Sequence, residues 1–363
     1  MLTKCLSLKA PVYFFKNPIL AATKLISFLV LLGLLFSCSS NELTDVEPES
    51  VMSTSSAKAS SSPGVPQLMY EGIVGGAGSA IGPGGDLFVT ETLTGEISRF
   101  NLKTWEKTTF ASGLPTMIPD VGIGGAMDIA FIGGTGYVLV SLVGPFFGTT
   151  DLVGIYRIDG PNSFTVIADL GAFSEANPPN TSYFLPMGLQ YAIETYKGGF
   201  LVTDGHHNRV LHVTTDGIIS EMKAFANIVP TGIAVSGNTI YMAEAGPVPH
   251  NPEDGKVVYF TENSTYAPPV ASGSPLLVDV KLGRGQSLFA LSQGEWNGLG
   301  EGSEAFENTG ALVKANQNGT FSDVATGLDR PTSLEIVKNT AYVVTRDGEI
   351  WSVDNVSSGP YGN

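Results

Sequence analysis

The sequence predicts an all-β fold, a six-bladed β-propeller whose last blade is closed by an N-terminal strand. Three observations predict it. A short apolar strand ending in a small or acidic residue recurs six times. Each copy is followed by a further strand that opens at Gly or Asn. The sixth copy lacks the fourth strand that the others have, while an orphan strand, Gln67-Leu68-Met69-Tyr70, precedes the first. The 44 Gly, the 22 Pro and the absence of any long 3.6-residue apolar period agree with short strands and frequent turns.

Residues 1–37 hold Lys4, Lys9, Lys16 and Lys24, no acidic residue, and an apolar run from Leu25 to Phe36. A charged start, an apolar stretch short for a membrane span and a small residue before a cleavage point describe an export signal. Leu35-Phe36-Ser37-Cys38 resembles a bacterial lipobox, which implies lipidation of Cys38. The expectation is an extracytoplasmic chain held on a bacterial membrane, the outer membrane foremost. Cys5 falls in the removed segment, so Cys38 is left as the one cysteine and the fold uses no disulfide. Residues 38–64 are rich in Ser and poor in large apolar side chains, as expected of a disordered tether. The propeller is expected over 65–356 and a short tail over 357–363.

Processing removes four of the 19 basic residues and none of the 34 acidic ones, leaving 15 against 34, a formal charge of −19. A phosphate backbone needs a basic surface, so nucleic acid is excluded as a partner.

The second strand of each blade is read at 87–91, 137–141, 200–204, 240–244, 288–292 and 341–345. Third strands follow at 95–100, 154–158, 208–213, 255–260, 310–314 and 348–353. Fourth strands are placed at 107–111, 164–168, 218–223, 266–271 and 321–325. Innermost strands carry Pro186-Met187-Gly188-Leu189, Pro230-Thr231-Gly232-Ile233 and Pro331-Thr332-Ser333-Leu334, where Gly lets the strand crowd the channel. Pairing the orphan strand with the sixth copy closes the ring and removes the open edge, so a monomer is expected.

Asp204-Gly205-His206-His207-Asn208-Arg209-Val210 matches the turn of NHL-type propeller repeats. Further segments are Met127-Asp128-Ile129-Ala130-Phe131, Ala168 to Glu175 followed by Asn177-Pro178, Val229 to Val235, and Gly310-Ala311-Leu312-Val313 leading to Ala325-Thr326-Gly327-Leu328. In these the chain resembles the ScyD/ScyE family over about 65–356. The resemblance implies a six-bladed, TolB-like propeller and carries over no activity residue by residue.

The long insertions, 142–152, 246–254, 293–309, 114–125 and 173–184, are all expected on one face, where ligand contacts collect on a rigid scaffold. That face would carry Phe146, Phe147, Tyr183, Phe184 and Trp296 beside Glu295, Glu301, Glu304 and Glu307. The four histidines fall in blades three and four. His206, His207 and His250 are candidate ligand contacts there, as a general base or metal site would require, while a strand position gives His212 a packing role. Glu91, Asp204 and Glu244 end second strands and are candidates for the channel mouth, although the turn around Asp204 favours a bond to Arg209 or to backbone amides. Asp128 and Asp279 begin innermost strands of blades that face each other across the axis. A buried pair of this kind needs water, a cation or a shared proton, or local amide caps. No cofactor is predicted, and a channel cation, Ca or Zn, is carried as a hypothesis.

Two function classes are set against each other. The first is a binding or interaction module for a small molecule, glycan or protein. The second is a propeller enzyme of the lactonase, hydrolase or sugar dehydrogenase type. Gluconolactonase-type propellers hold a metal with Glu, Asn and Asp, where this chain has Met127, Met187, Thr231 and Thr332. For a quinone-dependent dehydrogenase, Lys281 and Arg284 are the nearby basic residues. No Gly-Xaa-Ser-Xaa-Gly elbow, Walker loop or dinucleotide fingerprint is present, so the binding module leads.

Overall fold

A computed structural model describes residues 64–182, 185–300 and 302–357. The export signal, Cys38 and nearly all of the tether lie outside the described residues, as do Tyr183, Phe184, Glu301 and 358–363. The described chain forms six four-stranded antiparallel sheets, the blades of a propeller. The innermost strands are Gly76–Ile81, Gly125–Ile132, Gln190–Tyr196, Pro230–Ser236, Leu277–Leu282 and Pro331–Val337. Each touches the innermost strand of the next blade, and the sixth touches the first.

Second strands run Leu87–Glu91, Thr135–Ser141, Gly199–Asp204, Thr239–Glu244, Leu288–Ser292 and Thr340–Thr345. Every residue of the first and fifth of these is buried, because both faces of the sheet are covered by neighbouring blades. That is why the motif reads as a continuous apolar run rather than an alternating one. Aromatic pairs fill several blade interfaces: Phe88 lies 4.7 Å from Phe131, Tyr137 4.7 Å from Phe200 and Phe225 5.5 Å from Phe260.

The sixth blade is closed as expected. Gln67–Glu71 pairs antiparallel with Glu349–Asp354, Glu71 opposite Glu349 and Gln67 opposite Ser352. Since Glu349 follows directly on the second strand of that blade, Glu71 lies at the face where second strands end. Gln67 therefore enters from the opposite face.

In all six blades the innermost strand is bulged against the second near its start. A bulge re-aims the side chains that follow. Asp128 and Asp279 occupy this position in blades two and five. The strands around the axis are close enough that a Cβ on Gly232 would stand 2.4 Å from the Asp279 Cα.

Three details differ from the sequence reading. Pro186 to Leu189 is a turn and not a strand: Gly188 has φ +74° and its amide bonds Leu185, so the ladder starts at Gln190. The fourth strand of blade four is confined to Pro269–Ser272, since Pro268 and Pro269 have no N–H for an earlier ladder. The insertion at 173–184 begins inside a short helix, Leu170–Ala176, which Asp169 caps by accepting from the Ala172 amide at 2.8 Å.

Candidate functional site

Second strands end, and innermost strands begin, on one face of the ring, so the loops that leave the former and those that enter the latter surround the channel mouth. A cavity of about 620 Å³ opens there and descends along the axis. Its collar includes the apolar side chains Leu93, Met117, Ile123 and Val248. His206, His250, Gln293 and Arg346 add polar groups around the entrance. Asp128, Tyr191, Asp279 and Lys281 form its deep end.

The two aspartates are held alike. Asp128 accepts from its neighbour Ile129 N at 2.8 Å and from Ile193 N of the next blade at 2.9 Å. Asp279 accepts from Val280 N at 2.7 Å and from Leu334 N of the next blade at 2.8 Å. Each thus ties its blade to the following one. Burial raises the Asp128 carboxyl well above the usual range, opposed by Lys281 and reinforced by the charge of Asp279. Burial raises Asp279 as well, again opposed by Lys281.

Lys281 follows Asp279 by two residues, so both point to the same side of their strand. Its ammonium lies 3.0 Å from Glu335 and 4.0 Å from Glu194, both on neighbouring innermost strands. Burial works against the Lys281 charge, and Glu335, Asp279, Glu194 and Asp128 together outweigh it and hold the proton. Burial carries Glu335 up to about 7 despite the lysine. Tyr191, beside this group, has its phenol raised by burial and by Asp279 and Asp128.

Of the three acids that end second strands, none is among the cavity-lining residues. Glu91 is buried, accepts from Val74 N at 2.9 Å and Ser98 Oγ, and meets Lys107 at 2.7 Å. Asp204 accepts from Leu189 N at 3.0 Å and faces Arg209 Nε at 3.4 Å. Glu244 is 4% exposed and stands across the ladder from Lys256; burial pushes its carboxyl up to about 7. These are supports inside blades, reached because the strand end lies under the loops rather than at the axis.

The histidines separate. His206 and His250 line the cavity. His207 is fully buried: its Nε2 donates to the Leu185 carbonyl at 2.7 Å, and its Nδ1 lies 3.1 Å from both Asp204 and Arg209. His212 packs edge-on to Tyr196, ring centroids 6.1 Å apart. His250 pairs with the Ala245 carbonyl at 3.2 Å and with the edge of Trp296, whose Nε1 donates to Ser303 Oγ at 2.7 Å. Phe146 is 62% exposed on the rim, edge-to-face with the half-buried Phe147. Among the described residues no group of three or more His, Cys, Asp or Glu is gathered as a metal site.

Arg346, which the sequence reading did not single out, ties the entrance together. It pairs with Glu304 of the 293–309 insertion and donates to the Gly122 carbonyl at 3.3 Å. Arg330 binds the same glutamate at 3.2 Å. Thr231 donates to the carbonyls of Ala243 and Leu277, and Thr332 to those of Gly76 and Val344. Both threonines are therefore interblade ties. Arg284 lies in a short turn at the far end of its innermost strand, away from the mouth.

No family model matches the chain, and no curated protein sequence matches it. Solved structures do. A gluconolactonase from Xanthomonas campestris is similar at 10% identity and a TM-score of 0.54, over 80% of this chain and 89% of that one. Regucalcin, a calcium-binding protein from Agrobacterium tumefaciens, is similar at 14% and 0.54, over 80% and 93%. The PQQ-bound aldose sugar dehydrogenase of Streptomyces coelicolor is similar at 14% and 0.52, over 80% and 99%. At these identities the likeness establishes a shared fold: the chain is a six-bladed β-propeller.

Proposed function

We propose that this chain is an extracytoplasmic, lipid-anchored binding propeller, related to the ScyD/ScyE family, whose axial cavity takes up a small molecule. The observation that carries the reading is the cavity itself. About 620 Å³ lies within the range of small-molecule sites, and an apolar collar above a few convergent polar groups is their usual composition. The lipobox-like Leu35 to Cys38 supports the anchor.

The enzyme reading draws on the gluconolactonase and the sugar dehydrogenase among the similar structures. Against a metal-lactonase centre, Met127 and Met187 are poor ligands for a hard cation, and the hydroxyls of Thr231 and Thr332 are engaged with backbone carbonyls.

The test is a melting-temperature screen of the full-length chain in detergent against amines, sugars, lactones and aromatic metabolites. A ligand at a hundredfold excess over its Kd stabilises the native state by about 2.7 kcal/mol. Leu93 and Val248 line the entrance and are 45% and 41% exposed, so both tolerate enlargement. The Leu93→Trp, Val248→Trp double variant is expected to melt like the parent and to lose the ligand-induced shift. Persistence of the full shift would place the ligand elsewhere and end this reading. Turnover of a lactone or sugar would favour the enzyme.

A further inference from the structure

Resting on the cavity reading, we propose that the deep end of the cavity binds an organic cation, a primary ammonium carried on an apolar body. Four carboxylates act on one ammonium: Asp128 and Asp279 line the cavity with Lys281, and Glu194 and Glu335 flank the lysine behind it. The close contacts of the lysine are to Glu335 and Glu194, at 3.0 and 4.0 Å, so the two aspartates, on opposed blades, feel its charge without an ion pair to it. Each aspartate accepts one amide from its own strand and one from the next blade, and Asp279 also accepts from Ser333 Oγ at 3.5 Å. A carboxylate offers about four acceptor positions, so both retain capacity for a donor arriving from the cavity they line.

Tyr191 adds an aromatic ring to the same lining. It feels the charge of both aspartates, and an aromatic ring beside carboxylates is a favourable surround for an ammonium. Burial raises the carboxyls of Asp128, Asp279 and Glu335 against the charge of Lys281, as expected where one ammonium serves several acids. Higher in the cavity, Leu93, Met117, Ile123 and Val248 suit an apolar body. A divalent ion needs several oxygens converging on one point, whereas an ammonium directs three separate donors at separate acceptors. An anionic ligand would meet the same carboxylates and be repelled.

The experiment is calorimetry on the full-length chain in detergent at pH 7.5 with three probes of one shape: 2-phenylethylamine, 2-phenylethanol and 3-phenylpropionate. The amine is expected to bind about tenfold more tightly than the alcohol, as a charge-assisted hydrogen bond should, and the propionate most weakly. Asp279→Asn is expected to weaken the amine about tenfold and to leave the alcohol within about twofold. Alcohol binding thereby reports that the variant's cavity is intact, and Asp128→Asn serves the same purpose should Asp279→Asn fail to fold. Equal or tighter binding of the alcohol or the propionate would overturn the proposal while leaving the cavity reading standing. Failure of all three to bind would also overturn it. Amine binding that survives in the Leu93→Trp, Val248→Trp variant would instead bring down the cavity reading.

Discussion

Asp204 and Asp279 are both carboxylates shut away from bulk water, 0% and 8% exposed, and one protein compensates them in two different ways. Asp204 lies inside its blade with Arg209 at 3.4 Å, and that guanidinium goes on to Ser174, Asn177 and the face of Phe173. Its compensation is built in. Asp279 lies at the axis, where its partners are amides and a lysine already held by other acids. Within the blade the charges complete the fold, and at the axis they leave room for something else.

The largest expected effect breaks the first half of that contrast. Arg209→Ala would strand Asp204 as a buried charge and release the helix and loop that the guanidinium holds. Removing one partner of a buried pair costs about 3–5 kcal/mol, which a denaturant titration of the variant would register as a loss of that size. A loss below 1 kcal/mol would show that Asp204 is satisfied by its amides alone.

Glu244 sharpens the contrast, because it holds the station of Asp204 one blade later with a more distant cation. Its carboxyl is raised from the ordinary 4.5 to about 7, so the folded chain holds that proton more tightly than the unfolded one. The stability it contributes is complete below pH 4.5 and is lost as pH rises through 7, by roughly 3 kcal/mol. In Glu244→Gln that part of the pH dependence should vanish, making the variant the more stable protein at pH 8 and its equal near pH 4. Denaturant midpoints at the two pH values measure it.

The smallest effect belongs to the rim. Phe146 is 62% exposed, and Phe146→Ser should change stability by no more than about 0.5 kcal/mol. A larger loss would mean that the rim aromatics support the mouth instead of bordering it.

The blades were legible in the sequence because strand two is buried on both faces and therefore prints a continuous apolar word six times, 288–292 as clearly as 87–91. Closure was legible for the same reason, as a strand missing at one end and spare at the other. The floor of the cavity was only half legible. Asp128 and Asp279 stood out by their equivalent places, but Lys281 meets Glu194 and Glu335 only because three innermost strands converge on one axis. A two-residue step from Asp279 would have put Lys281 on the same side. Nothing local pairs it with residues 87 and 54 positions away. The Arg346 to Glu304 tie escaped for that reason too, and the helix at Leu170–Ala176 because seven residues, one of them Gly171, carry too little periodicity to register.

The closing strand has a mechanical meaning. Because Gln67 lies on the side opposite the mouth, a pull applied at the start of this strand loads the sixth blade at the floor of the ring, remote from the opening.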